Sequence, residues 1–195
     1  LGYFVLGVQH LLQGYDHLAF LLALVLPLRP GFWAQHSAPG TVGVAGQAWR
    51  RLLWTITAFT LGHSITLMLA ALGWTQASPR WVEPLIAASI AVTALLNLRP
   101  LPWLRTDVLA GLFGLVHGFG FAGLLQEAAA SSGLLPWALA GFNLGVEAGQ
   151  LMAVSAWVLL AQALVHRAWY GRVVVQGGSV LLVLLALGWF CQRVG

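Results

Sequence analysis

The feature that most constrains this chain is a series of apolar runs, each near the length of a bilayer crossing. A spanning helix needs roughly 20 predominantly apolar residues. Six such runs are read, over residues 3–26, 48–72, 81–98, 107–129, 136–165 and 173–192. The third is short for a span, and the fifth is long enough to tilt or to extend past the bilayer. Only 7% of the residues are charged, against about 25% in a soluble domain. A water-facing surface cannot be built from so few charges, so lipid must be the solvent for most of the chain. The expected fold is all-α: a polytopic membrane bundle of about six transmembrane helices, forming a single domain over residues 1–195.

Breakers separate the runs: Pro27 and Pro30, Pro39-Gly40, Pro79, Pro100 and Pro102, and Ser131-Ser132-Gly133. Arginine placement sets the orientation. Arg29, Arg50, Arg51, Arg99, Arg105, Arg167 and Arg172 fall in the first, third and fifth connections, whereas the other side holds Arg80 and Arg193. The arginine-rich side is expected to be cytoplasmic and both termini extracytoplasmic. Tyr3, Trp49, Trp74, Trp81, Trp103, Trp137 and Trp189 lie near span ends, as interfacial belts require. The chain opens on Leu1 rather than Met, and an upstream signal peptide or domain is expected to have been removed. The single cysteine, Cys191, excludes an intrachain disulfide and a cysteine-cluster metal site. The net charge of +4 is spread over loops and suggests no nucleic-acid partner.

Glycines recur at four-residue spacing, as Gly141, Gly145 and Gly149 and as Gly114 and Gly118. Such spacing lets helix backbones approach closely in lipid. Phe59-Thr60-Leu61-Gly62-His63-Ser64 in the second run echoes Phe142-Asn143-Leu144-Gly145-Val146-Glu147 in the fifth. If the first three and last three spans are inverted repeats, these segments are mates, as in many transporters.

Ionisable groups in the hydrocarbon core are costly unless paired or hydrated, and they mark function by default. The first run holds His10, Asp16 and His17; the second Thr60, His63, Ser64 and Thr66; the fourth His117; and the fifth Asn143, Glu147 and Gln150. On a continuous helix His10 and His17 share a face with Gly7 and Gly14, and Asp16 points about 100° away from His17. Counted from the outer ends, Asp16, His17, His63, His117 and Glu147 lie roughly 13–21 Å deep, near the midplane. Four helices thus converge on one layer. Imidazole and carboxylate without thiolate suit borderline divalent ions such as Ni²⁺, Co²⁺ or Zn²⁺. His17, His63, His117, Asp16 and Glu147 are the candidate metal residues, and His10, Asn143 and Gln150 the expected lining of the approach. Span three adds Glu83 near its outer end and Ser89, Thr93 and Asn97 down one face. Glu83, Asp107 and Glu127 are expected at span ends, and His36 and His166 in solvated loops.

Two chemistries use such a cluster. A carrier or channel for a divalent ion needs a midplane site reached from both sides. An intramembrane zinc hydrolase would use three histidines, Asp16 or Glu147 as general base, and Ser64 as a substrate contact. A metal-free proton relay is the third possibility.

His10-Leu-Leu-Gln-Gly-Tyr-Asp16-His17 resembles the opening signature of the HupE/UreJ family of membrane proteins. Phe59-Thr-Leu-Gly-His63-Ser64, Gly114-Leu-Val-His117-Gly-Phe-Gly-Phe and Phe142-Asn143-Leu-Gly-Val-Glu147-Ala-Gly-Gln150 follow in the family's order. The resemblance implies a nickel or cobalt permease of the bacterial cytoplasmic (inner) membrane, with metalloenzyme-maturation partners or a homo-oligomer. It makes His10, Asp16 and His17 a first-span metal motif and His117 and Glu147 a later pair. The chain departs from the hydrogenase-linked permeases, whose later motif is His-rich with a Glu close behind. Here Gly-Phe-Gly-Phe follows His117, and Glu147 lies in the next span, as in a divergent branch.

Overall fold

The structure is a computed structural model and describes residues 1–27, 44–121, 135–165 and 167–195. The expected roles of Arg29, His36, Glu127 and His166, and the breakers at Pro30, Pro39-Gly40 and Ser131-Ser132-Gly133, fall outside those residues. So does the side chain of Trp49. The described elements are α1 (Gly2–Gln13), α2 (Tyr15–Val25), α3 (Val44–Ala71), α4 (Pro79–Leu98), α5 (Thr106–His117), α6 (Leu135–Gln162) and α7 (Gly178–Val194). A 3₁₀ turn, Gly118–Phe121, follows α5, and a π-helical stretch, Gly171–Gly177, leads into α7. Among the described residues, four segments are long and apolar enough to cross a membrane: Arg50–Ala71, Pro79–Leu98, Leu135–Gln162 and Gly171–Val194. The all-α membrane bundle expected from the sequence is the fold observed.

The first run and the described part of the fourth, which ends at Phe121, depart from continuous α-helix, and both departures fall beside histidines. The first is two helices, broken at Gly14, whose backbone is extended (φ −79°, ψ 94°). A Cβ there would lie 2.8 Å from the His10 carbonyl oxygen and 2.8 Å from His17 Nδ1. Only glycine, with no Cβ, lets the His17 ring fold back against the end of α1. The fourth run is helical from Thr106 to His117 and then tightens into the 3₁₀ turn, pressed onto α3 at Gly118, where a Cβ would overlap the His63 carbonyl and the Thr66 hydroxyl. Discontinuous helices are tolerated in lipid where their free backbone groups face protein or a polar cavity.

Packing follows a pair-exchange pattern. α1 packs chiefly on α6, α5 on α3, and α4 on α7. A Cβ on Gly7 would overlap the Phe142 carbonyl and approach Val146 N to 2.9 Å. A Cβ on Gly114 would overlap the Phe59 carbonyl and approach His63 N to 3.0 Å. The reciprocal contacts agree: Gly145 is pressed on the Phe4 carbonyl, and Gly62 on the Gly111 carbonyl. Phe59 therefore corresponds to Phe142, Gly62 to Gly145, Gly114 to Gly7, and His117 to His10. Each histidine stands three residues beyond the buried glycine of its helix. The echo between the second and fifth runs marks mates in an internal repeat.

Large apolar side chains cover the outside, among them Leu61, Leu144, Leu160, Leu181 and Leu184. Trp74, Trp81, Trp103 and Trp137 are about three-quarters exposed near helix ends, where an indole suits the headgroup layer.

Candidate metal centre

Four imidazoles gather where the broken helices meet. His10 comes from the last turn of α1 and His17 from the first turns of α2, with ring centres 4.8 Å apart. His117, at the end of α5, stands 5.0 Å from His17. His63, midway along α3, stands 5.9 Å from His17 and 6.1 Å from His10. His17 is thus the hub. His63 and His117 are almost wholly buried, and His17 is 8% exposed.

Phenylalanine rings wall the cluster. Phe59 lies 5.2 Å from His117, and its repeat mate Phe142 lies 5.4 Å from His10. Phe20 stacks on Phe59 at 5.1 Å and lies 5.4 Å from His117. An apolar wall leaves the ring nitrogens few alternative partners. Among the described residues, His17 Nε2, both nitrogens of His63 and His117 Nδ1 have no hydrogen-bond partner. A buried polar atom without a partner costs about 1–3 kcal/mol, and a cluster of them points to a ligand.

His117 carries the most specific signal. Ser89 Oγ lies 2.6 Å from the Ile86 carbonyl oxygen and 3.0 Å from His117 Nε2. The one hydroxyl proton goes to the carbonyl, which has none of its own, so Nε2–H of His117 donates to Ser89 Oγ. That fixes the tautomer and leaves Nδ1 as a bare lone pair, the arrangement a metal-ligating histidine takes. In sequence Ser89 is one residue of a polar stripe in the third run, and nothing local to it announces His117 as its partner.

The carboxylates stand apart from the rings. Asp16 is bonded by Arg193 Nη2 at 2.9 and 3.2 Å. Glu147 Oε1 accepts from Thr57 Oγ1 at 3.1 Å. Neither is hydrogen-bonded to His17, His63 or His117, and among the described residues no three His, Cys, Asp or Glu side chains stand where they could together hold a metal ion. Thr60 donates to Gln150 Oε1 at 2.8 Å, and Ser64 donates to the Thr60 carbonyl on its own helix. Asn143 Oδ1 is buried without a hydrogen-bond partner among the described residues. Thr57, Thr60, Glu147 and Gln150 thus make a polar seam between α3 and α6, running from beside His63 toward the start of α3. Of the expected Asn143, Glu147 and Gln150 stripe, Glu147 and Gln150 take part in that seam.

On the arginine-rich side a cavity of about 880 Å³ opens between α2, α3, α4 and α5. Arg50, Asn97, Arg105, Phe20 and Phe113 are among the residues that line it. Phe20 therefore touches the cavity on one side and His117 on the other. Arg105 pairs with Asp107 at 2.6 Å, which holds the Asp107 carboxyl below the usual carboxylate range.

Buried histidines gathered at helix ends, within an all-α bundle with apolar side chains on its outside, define a helical membrane protein with a cluster of imidazoles inside it. The chain belongs to the HupE/UreJ family: the family model described as HupE / UreJ protein matches residues 1–193. Family membership, with its nickel and cobalt association, supports the handling of a divalent metal. No curated protein and no solved structure matches the chain.

Proposed function

We propose that this chain carries a divalent cation of the nickel and cobalt class across the cytoplasmic membrane, with His17, His63 and His117 as the principal ligands and His10 completing the cluster. The observation that carries this reading is the meeting of four imidazoles, several with unpartnered nitrogens, at the interruptions of α1–α2 and α5. Neutral imidazole binds borderline divalent ions well without demanding a fixed geometry. The ring centres lie 4.8–6.1 Å apart, so this reading requires the rings to turn toward one another when an ion binds. A carrier gains from that looseness, because its ion must leave.

We read the matching glycine contacts of α1 with α6 and of α5 with α3 as two inverted halves, an arrangement suited to alternating access, in which one half rocks against the other about a central site. Asp16 and Glu147, both tied to other partners at rest, then serve as flanking acids on the entry and exit sides. The polar seam of Thr57, Thr60, Glu147 and Gln150 offers a hydrated route beyond His63. No observation favours the hydrolase reading: Ser64 is bonded back onto its own helix.

The test is uptake of Ni²⁺ or Co²⁺ into proteoliposomes containing the purified chain. Saturable uptake, lost in His17→Ala and in His117→Ala while both variants stay folded, is expected. Unchanged uptake in both variants overturns the shared-site reading.

A further inference from the structure

Asp16 and His17 are chain neighbours in the first turn of α2, just after the break at Gly14. The Asp16 carboxylate is held by Arg193, in the last turn of α7, whose Nη2 reaches both oxygens. The same guanidinium donates through Nη1 to the Glu83 carbonyl at 3.1 Å, and its Nε stands 3.9 Å from Glu83 Oε2. It also lies over the Trp189 ring at 5.7 Å. One side chain therefore ties the start of α2, the early part of α4 and the end of α7. The Arg193 and Asp16 side chains are only 21% and 25% exposed.

Anchoring alone does not require this pair. α7 already packs along α4, burying Ser179, Leu182 and Ala186. A mostly buried ion pair is often no more stabilising than well-packed apolar residues of similar size. What the pair does uniquely is place a fixed positive charge on the carboxylate next to the histidine hub, on the Glu83 side. Taking the arginine-poor side as outside, a cation approaching His17 from there meets Asp16 already occupied by a tethered cation.

We propose that Arg193 is a gate residue, a stand-in cation that an entering divalent ion must displace from Asp16 to reach the histidines. The idea rests on the transport reading and adds to it a positioning residue at the entry. Displacement frees α2 from the end of α7, coupling ion arrival to movement between the two halves. Arg193 reclaims Asp16 once the ion has moved inward, so entry closes behind it.

The experiment is Co²⁺ binding to the purified full chain in detergent, by titration calorimetry and by the visible absorption of bound Co²⁺. It compares wild type, Arg193→Gln, Arg193→Lys, Asp16→Asn and the Asp16→Asn/Arg193→Gln double variant. Arg193→Gln should bind on the order of tenfold more tightly than wild type, in keeping with the coupling of close charge pairs. Arg193→Lys, which keeps the charge but loses the fork, should gain less and guards against a Gln variant that does not fold. The gain should vanish in the Asp16→Asn background. An equal gain with and without Asp16 would mean a long-range charge effect, and no gain in a folded Gln or Lys variant would mean an anchor; either overturns the gate. Wild type that takes up no Co²⁺ brings down the transport reading and the gate together. Binding by wild type without coupling between Asp16 and Arg193 removes the gate alone.

Discussion

Gly114→Ala should be among the most damaging single-methyl changes in this chain, and Gly7→Ala should match it. The α3–α5 contact brings the Gly114 Cα against the Phe59 carbonyl, and a new Cβ would overlap that oxygen and sit 3.0 Å from His63 N. Both obstacles are backbone, so no rotamer change relieves them. The helices must part by on the order of 1 Å in a region packed at native density, which forfeits a large share of the local dispersion contacts. Overpacking of this kind typically costs about 1–3 kcal/mol. The same displacement carries His117, three residues along, away from Ser89 and His17. Gly7→Ala meets the same obstacles in the Phe142 carbonyl and Val146 N, and shifts His10. The assay is thermal unfolding in detergent followed by Co²⁺ binding on whatever remains folded. Both variants should melt well below wild type by similar amounts and bind more weakly. Gly141→Ala, where the nearest atom is Tyr3 Cβ at 3.4 Å, should be close to neutral. If Gly7→Ala and Gly114→Ala melt like wild type, the close backbone approach is wrong; if only one is damaging, so is the equivalence of the halves.

The remaining predictions concern individual side chains. Phe20→Ala should join the cavity to the histidine cluster and raise passive Co²⁺ leak from loaded proteoliposomes, whereas unchanged leak would mean that Phe20 is no barrier. Ser89→Ala removes the acceptor for His117 Nε2–H and should cost about 0.5–1.5 kcal/mol in stability while weakening Co²⁺ binding; unchanged binding would contradict the tautomer assignment. Gln150→Leu should slow uptake with little change in equilibrium binding, and a loss of binding instead would move Gln150 from the route into the site. Asp107→Asn should leave melting and uptake unchanged at neutral pH, because its pair with Arg105 is solvent-screened. Any contribution from that pair is present above the ordinary carboxylate pKa and is lost as pH falls through the depressed one, so an effect of the substitution that persists in acid below that range would contradict the assignment.

The bundle and the histidine layer were legible in sequence because lipid leaves two strong marks. Apolar runs must be long, and an imidazole in the middle of one has few reasons to be there except function. His10, His17, His63 and His117 stood out on those grounds, and the short echo between residues 59–64 and 142–147 pointed to the repeat. The interruptions were not legible. On a continuous helix Gly14 shares a face with His10 and His17, but it breaks the helix, and the His17 ring crowds the place of its missing Cβ. Asp16 and Glu147 share the histidines' depth in a count of residues, yet depth does not fix direction. Asp16 finds Arg193, 177 residues away in sequence, and Glu147 finds Thr57, 90 away. Such long-range polar partners carry no local signature, and the same holds for the Ser89–His117 bond.

The most direct measurement of the central claim is elemental analysis by mass spectrometry of the purified chain after loading with Ni²⁺ or Co²⁺ and removal of free ion, beside the His17→Ala/His117→Ala variant. The account predicts about one divalent ion per chain, weakly held, and lost in the variant while its helical content is retained. An equal metal content in wild type and variant, or none in wild type under any loading condition, would contradict it.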